Sequence, residues 1–126
     1  MLDHVSLGTH DLDRAARFYA QTLAPLGYRI QVQNEREVGF GIGDDWTFFL
    51  YPTAAGTPVL GARMHLAFRA GSRADVLKAH AIALSQGGGA VADRDPDERP
   101  QFGADYFGGV FTDPDGHAIE LMTRSA

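Results

Sequence analysis

A chain of 126 residues is long enough to bury the core of one domain, and its 44% hydrophobic and 21% charged residues exclude a disordered or fibrous protein. The net charge of −5, without a Lys/Arg cluster, argues against nucleic acid and anionic membranes as partners, and the absence of cysteine leaves His and carboxylates as metal ligands. No apolar run has the roughly 18 to 20 residues of a membrane span, and Met1 leads into a strand rather than a signal segment, which predicts a cytoplasmic protein.

The first half of the chain has the pattern of a βαβββ unit. Alternation of apolar and polar residues over 2–8 predicts a short strand. Asp11 is placed to cap a helix through about Leu23, because an apolar stripe at helical spacing follows it. Strand patterns then cover 28–33, 37–42 and 46–51. The segment 53–61, rich in Pro, Gly and small residues, predicts a linker.

The second half repeats this order. His65 follows His4 by 61 residues, and the same offset relates Ser72 to Asp11. Ser72 opens the second helix, and strand patterns cover 90–92, 106–112 and 117–123. The loop 93–105 makes the second unit about ten residues longer than the first. The repeat predicts a single domain of two modules, 1–52 and 62–126, joined by the linker 53–61.

The last two strands are joined by the turn Asp113-Pro114-Asp115-Gly116, in which Pro presets the bend and Gly takes a positive φ. Glu120 lies in the final strand, with apolar residues on both faces around it. An ionised carboxylate removed from water costs several kcal/mol unless a cation or donor accompanies it. Glu120 therefore either has a partner or lies on a solvent-exposed edge.

Histidines occupy matched positions on the first strand of each module. His4 and Ser6 share one face, as do His65 and Ala67, while the bulky residues between them are expected to pack on the helices. If the final strand has the same orientation, Glu120 lies on the same face. Small neighbours would then leave a hollow around two imidazoles and a carboxylate.

Three stretches resemble the vicinal oxygen chelate superfamily, which includes glyoxalase I, methylmalonyl-CoA epimerase, fosfomycin-resistance enzymes, extradiol dioxygenases and bleomycin-resistance proteins. They are DHVSLGTHDLDRAARFY at 3–19, HLAF at 65–68 and FTDPDGHAIELM at 111–122. The resemblance implies an α+β fold in which two tandem βαβββ modules form a cupped mixed sheet. It also implies one divalent metal ion (Zn, Ni, Mn, Fe or Co) bound by His4, His65 and Glu120. Glu120 would act as a catalytic base only if it left the metal.

Departures from the family pattern limit which of the family's activities are expected of this chain. Glyoxalase I and the epimerase have a fourth ligand from the first module, where this chain has Phe49 in alignment with Glu120. Fosfomycin enzymes have a basic segment after the terminal Glu, and extradiol dioxygenases usually have four modules. The resemblance predicts a metal-dependent lyase, isomerase, transferase or related dioxygenase acting on a small substrate. The alternative is a metal-free protein of the bleomycin-resistance type that sequesters a small molecule.

Substrate contacts are expected from the loop 93–105 and from the first module. We predict that this loop covers the mouth of the cup and that Arg99 meets an anionic group of the substrate. The resemblance further implies a homodimer in which cups pair across a two-fold axis. The candidate substrate-binding residues are Arg99, Gln101, Tyr106, Phe49 and Tyr51.

Overall fold

A computed structural model describes residues 1–125 of the chain. Each half begins with a strand and a helix. In the first half the elements are β1 (Val5–Thr9), α1 (Leu12–Thr22), β2 (Arg29–Gln33), β3 (Val38–Gly41) and β4 (Phe48–Pro52). In the second half they are β5 (His65–Arg69), α2 (Arg73–Ser85), β6 (Gly89–Ala90), β7 (Asp97–Glu98), β8 (Phe107–Thr112) and β9 (Ala118–Thr123). Among the described residues, neither helix has the length and apolar character that crossing a bilayer requires.

The strands form two mixed sheets, one from each half. The first has the order β1-β4-β3-β2, and the second has the order β5-β9-β8-β6, with β7 also paired to β8. In both sheets the first strand runs parallel to the last, while the other pairs are antiparallel. The predicted α+β class and the repeat of strand, helix and strands are confirmed. The two sheets are not hydrogen-bonded to each other, so β1 and β5 are both edge strands.

The registers of the two parallel pairs show which residues are equivalent. Ser6 pairs with Phe49 in the first sheet, and Ala67 pairs with Glu120 in the second. Since Ala67 lies 61 residues after Ser6, Phe49 and Glu120 occupy the same structural position, as the alignment of the repeats predicts. Their side chains therefore lie on equivalent faces of the two sheets.

Both helices begin at the predicted caps. The Asp11 side chain accepts a hydrogen bond from Arg14 N, and the Ser72 side chain accepts one from Asp75 N. Each cap provides an acceptor for a helix N–H that has no partner within the helix. The first strand begins at Val5 rather than at the predicted residue 2, so His4 precedes the strand.

One core is shared by the two modules. Phe18 of α1 is 2% exposed and lies edge-on to Phe111 of β8, with ring centroids 6.0 Å apart. The ring of Phe48 in the first sheet lies edge-on to the ring of Phe68 in the second, with centroids 5.2 Å apart. Phe18 is buried although it lies outside the predicted stripe, because α1 packs on α2 and the second module as well as on its own sheet. The stripe itself packs into the core, with Leu12 partly buried and the others buried: Ala15, Ala16, Tyr19 and Leu23.

The turn 113–116 joins the modules in addition to reversing the chain. Gly116 has a φ of +93°, as expected for the last position of this turn, and its N–H bonds to Asp113 O. The carboxylate of Asp115 is only 2% exposed, and its partners all belong to the first module. They are Thr9 Oγ1 at 2.5 Å, His10 N at 3.2 Å and Arg14 Nη2 at 3.2 Å.

Candidate active site on the second sheet

A cavity of about 690 Å³ lies on the face of the second sheet that is turned away from the core. In β9 the buried residues Ile119 and Leu121 alternate with Ala118 and Glu120, which line the cavity. His65 of β5 lines it beside them. Period-two alternation therefore positions a histidine and a carboxylate on the same open face.

His65 and Glu120 are the two predicted metal ligands that the chain brings together. His65 Nε2 lies 3.6 Å from Glu120 Oε2, which is longer than a good hydrogen bond. The His65 side chain is 55% exposed and that of Glu120 is 16% exposed. A half-exposed imidazole and a largely buried carboxylate thus face the same part of the cavity, and within residues 1–125 no short hydrogen bond occupies His65 Nε2 or Glu120 Oε2.

Tyr106 is the hydrogen-bond partner that Glu120 needs. Its hydroxyl donates to Glu120 Oε1, so the other oxygen, Oε2, is the one directed toward His65. Burial, together with the hydrogen bond and the negative charge of Glu120, raises the pKa of Tyr106 to about 12. Tyr106 is therefore a neutral phenol, and a donor to Glu120, throughout the physiological range.

His4, the third predicted ligand, lies on the first module. Its Nδ1 is 2.7 Å from Asp3 Oδ2, and its ring lies edge-on to Phe49 with centroids 5.4 Å apart. Within residues 1–125 no three His, Asp or Glu side chains converge as a metal site. The ligand set of one chain is therefore divided, because His4 directly precedes β1 of the first sheet while His65 and Glu120 belong to the second sheet.

The predicted substrate-binding residues also divide between the two modules. Tyr106 lines the cavity, whereas Phe49 stacks on Tyr51 on the first sheet, with centroids 6.2 Å apart. The Arg99 guanidinium donates to carbonyls of its own loop, those of Asp93 and Asp95, at 3.2 and 2.9 Å. Gln101 is exposed in the short 3₁₀ turn Pro100–Phe102. Of these five residues, only Tyr106 is among those that line the cavity.

Three arginines that the sequence analysis did not single out line the cavity: Arg63, Arg94 and Arg124. Arg124 lies over the Tyr106 ring, with Cζ 5.1 Å from the centroid, and its Nη1 lies 3.2 Å from Asp105 Oδ1. One of them had a sequence signal, since Arg124 lies four residues after Glu120, a position on the same face at strand periodicity. Arg63 lies in the turn before β5, where strand alternation gives no such signal.

The other histidines have structural contacts. His117 Nε2 lies 2.9 Å from Gly8 O, across the boundary between the modules. His80 is buried in α2, with Nε2 3.3 Å from Val110 O. His10 Nδ1 lies 3.3 Å from Thr53 O, near the start of the linker. These contacts account for the three imidazoles without a ligand role.

Comparison with known proteins agrees with this architecture. The family model of the Glyoxalase/Bleomycin resistance protein/Dioxygenase superfamily matches residues 1–121. A glyoxalase/bleomycin resistance protein from Albidiferax ferrireducens T118 is 27% identical, with a TM-score of 0.86 and 98% of each chain covered. Fosfomycin resistance protein FosX from Mesorhizobium loti is 25% identical, with a TM-score of 0.69, covering 98% of this chain and 91% of its own.

A glyoxalase-related enzyme from Fulvimarina pelagi, 22% identical, has the same fold with a TM-score of 0.74, covering 98% of this chain and 87% of its own. Comparison with curated proteins finds no match. The family model covers nearly the whole chain. The chain therefore belongs to the Glyoxalase/Bleomycin resistance protein/Dioxygenase superfamily.

Proposed function

We propose that the protein is a metal-dependent lyase, isomerase or transferase that acts on a small oxygen-bearing substrate in the cavity of the second sheet. The observation that carries this proposal is the convergence of His65 Nε2 and Glu120 Oε2, 3.6 Å apart, on one face of that cavity. A divalent ion bound there would act as a Lewis acid toward adjacent substrate oxygens. Nitrogen and oxygen ligands suit Zn, Ni, Mn, Fe or Co without selecting among them.

Tyr106 supports this assignment through its bond to Glu120. Because the phenol occupies Oε1, the carboxylate is fixed in orientation and Oε2 remains available on the side of His65. An outer hydrogen bond of this kind commonly orients a ligating carboxylate. The role of Tyr106 in the proposal is therefore to position Glu120 before the ion binds.

The third ligand in the proposal is His4 from a second copy of the chain. One chain provides two ligands in its cavity, while its own His4 is half exposed beside Phe49 on the other module. Phe49 and Tyr51 extend the aromatic surface next to this histidine, and Tyr51 is 40% exposed. In a two-fold dimer this surface of each copy would close over the cavity of the other.

Metal loading provides the first test. The wild-type protein should bind about one divalent ion per chain in elemental analysis and metal titration, and His65→Ala should lose that ion while remaining folded by circular dichroism. His10→Ala, which removes an imidazole outside the cavity, is the matched control and should load like the wild type. Since an imidazole must be neutral to bind a metal, loading should fall in acid. Equal loading of wild type and His65→Ala would reject the ligand assignment.

Mixed dimers test the source of His4. His4→Ala and His65→Ala should each fail to load metal as pure homodimers. If ligands are shared between copies, a heterodimer of the two variants has one intact site and should regain about half of the wild-type metal content. If all ligands come from one chain, the heterodimer should remain empty. Sedimentation of the wild type as a monomer at micromolar concentration would exclude shared sites altogether.

A second function, metal-free sequestration of an aromatic or planar compound, is favoured by one observation. Phe102 and Tyr106 line the cavity with ring centroids 5.4 Å apart, and Phe102 is 50% exposed. A wild-type protein that cannot be loaded with metal but binds a planar compound would support this alternative. The substrate screen should include oxoacids, hemithioacetals, catechols and fosfomycin, the last because of the similarity to FosX.

A further inference from the structure

We infer that the cavity of the second sheet recognises an anionic oxygen group, a carboxylate or a phosphonate, through Arg63, Arg94 and Arg124. This inference rests on the proposed function in one respect: both take the cavity of the second sheet as the substrate site. It differs from the sequence-based prediction for Arg99, whose guanidinium is bound to carbonyls of its own loop.

The charge of the cavity is opposite to that of the whole protein. The chain has 11 basic and 16 acidic residues, yet three arginines and only one carboxylate, that of Glu120, line this cavity. The Glu120 carboxylate accepts the hydrogen bond from Tyr106, and Arg124 is paired with Asp105, so among the described residues the unpaired positive charge of the cavity belongs to Arg63 and Arg94. A cleft lined mainly by one sign of charge raises the local concentration of ligands of the opposite sign. The cavity is therefore suited to an anion although the protein is acidic.

The guanidinium groups have donors to offer. Within residues 1–125, the side chains of Arg63 and Arg94 make no hydrogen bond or ion pair, although both line the cavity. A guanidinium presents a planar fork of N–H groups that matches carboxylate and phosphonate oxygens in pairs. Two such forks without protein partners at one cavity provide several charge-assisted hydrogen bonds for a single anionic group.

Contacts restrict the guanidinium of Arg124 and the backbone of Arg94. Arg124 lies over the Tyr106 ring and donates from Nη2 to Phe102 O at 3.3 Å. The backbone of Arg94 is fixed to β8, since Val110 N donates to Arg94 O at 2.8 Å. Pre-positioned donors lose less conformational entropy on binding than mobile ones. This advantage applies to the guanidinium of Arg124, and in Arg94 it is limited to the backbone.

Backbone strain occurs at this same cavity. Among the described residues, the non-glycine residues with positive φ are Arg63 and Asp93, each at +61°. Arg63 lines the cavity, and Asp93 directly precedes Arg94. A left-handed conformation is unfavourable for a residue such as arginine, and such strain clusters at ligand sites. The unfavourable backbone conformation of Arg63 thus occurs at a residue whose side chain lines the cavity, which supports a role for that side chain in binding.

Anion binding to the chelator-treated protein tests the inference independently of any metal. Malonate and methylphosphonate should bind in calorimetric titration, whereas their neutral counterparts, malonamide and dimethyl methylphosphonate, should not. Arg94→Gln and Arg124→Gln should each weaken anion binding about tenfold, the loss expected for one charge-assisted hydrogen bond. Arg17→Gln on α1, which makes the same charge change at an exposed position outside the cavity, should bind like the wild type. The tighter of the two anions identifies the carboxylate or the phosphonate as the preferred group.

Arg63→Gly separates binding from folding. Glycine tolerates the left-handed backbone, so this variant should be as stable as the wild type or more stable while binding the anions more weakly. Anion binding that is unchanged in all three arginine variants, or reduced equally by Arg17→Gln, would overturn the inference. Metal titration of the same proteins distinguishes this inference from the proposed function. If the wild type binds the anions but does not load metal, the proposed metal site alone is rejected. If it loads metal but does not bind the anions, the anion site alone is rejected.

Discussion

Tyr106 and Glu120 lie 14 residues apart in the chain and meet because β8 pairs with β9 in antiparallel register. We predict that Tyr106→Phe destabilises the protein by about 1.5 kcal/mol, since it leaves a largely buried carboxylate without its donor. In the Glu120→Gln background the same change should cost less, because the acceptor is then uncharged. Urea unfolding of the two single variants and the double variant gives the coupling energy directly.

Tyr28→Phe is the matched control for this cycle, because the Tyr28 ring contacts Phe68 in the core without bringing its hydroxyl to a carboxylate. It should change stability little, and it should show no coupling to Glu120→Gln. A coupling energy near zero between Tyr106 and Glu120 would show that the hydrogen bond does not stabilise the carboxylate in solution.

Asp113 gives a prediction about pH. Burial raises its pKa, although the hydrogen bond from Tyr19 and the nearby His117 oppose the rise. The folded chain therefore holds this proton more tightly than the unfolded chain. The stability contributed by Asp113 is fully present below the ordinary Asp pKa of about 3.9 and is lost as pH rises through the raised value.

Asp113→Asn keeps an acceptor and removes the ionisation, so the stability advantage of the wild type over this variant should shrink as pH increases toward 7. Urea titrations at several values between about pH 3.5 and 7 measure the difference. In Tyr19→Phe the bond that lowers the pKa is lost, so the decline of stability with pH should be steeper than in the wild type. A difference between wild type and Asp113→Asn that grows with pH would contradict the assigned cause.

At the scale of elements, the loop 93–105 is attached to β8 rather than free. A Cβ on Gly109 would lie 2.7 Å from Pro96 N, so only glycine lets the loop backbone approach the strand this closely. Gly109→Ala should displace the loop and accelerate amide exchange at Val110, whose N–H donates to Arg94 O. Hydrogen exchange followed by mass spectrometry or NMR measures the change.

Gly71→Ala is the control for this substitution, since the added Cβ would meet only a carboxylate oxygen of Asp75 at 3.6 Å, an ordinary contact. It should leave exchange at Val110 unchanged. Unaltered protection of Val110 in Gly109→Ala would mean that the loop is held by other contacts. Displacement of the loop should also weaken anion binding, because Arg94 is part of it.

For the whole molecule, the shared core predicts that both modules unfold together. Phe18 and Phe111, like Phe48 and Phe68, join the two halves, and the buried carboxylate of Asp115 binds three groups of the first module. Calorimetry of the wild type should show one transition with equal calorimetric and van't Hoff enthalpies per cooperative unit. Two resolved transitions would show that each module folds on its own.

Asp115→Ala should destabilise the contact between the modules by about 2 kcal/mol, because it removes the acceptor of three hydrogen bonds and leaves the buried Thr9 hydroxyl without that partner. Asp44→Ala is the matched control: Asp44 occupies the equivalent turn of the first module and is exposed. The control should be nearly neutral in urea unfolding. Equal losses in the two variants would assign the effect to the turns themselves rather than to the contact between modules.

The sequence by itself determined the elements and their faces, because these depend on local spacing. Alternation at strand period places Ile119 and Leu121 on one face and Glu120 on the other, and the structure buries the face of Ile119 and Leu121. The offset of 61 residues between the first strands grows to 71 after the longer loop of the second module, which aligns Glu120 with Phe49, and the strand registers confirm that alignment. The caps Asp11 and Ser72 follow from the side-chain oxygens that helix N-termini require.

Only the tertiary structure decided which of these faces meet. Sequence spacing does not specify how two modules pack, so the separation of His4 from His65 and Glu120 within one chain was not predictable from the repeat. The same holds for Asp115, a turn residue by sequence, whose carboxylate binds the first module over a separation of more than 100 residues. Arg94 belongs to the cavity because its loop is hydrogen-bonded to β8, a contact for which local pattern gives no signal. Periodicity fixes directions along one element, whereas long-range contacts arise from the free energy of packing whole elements together.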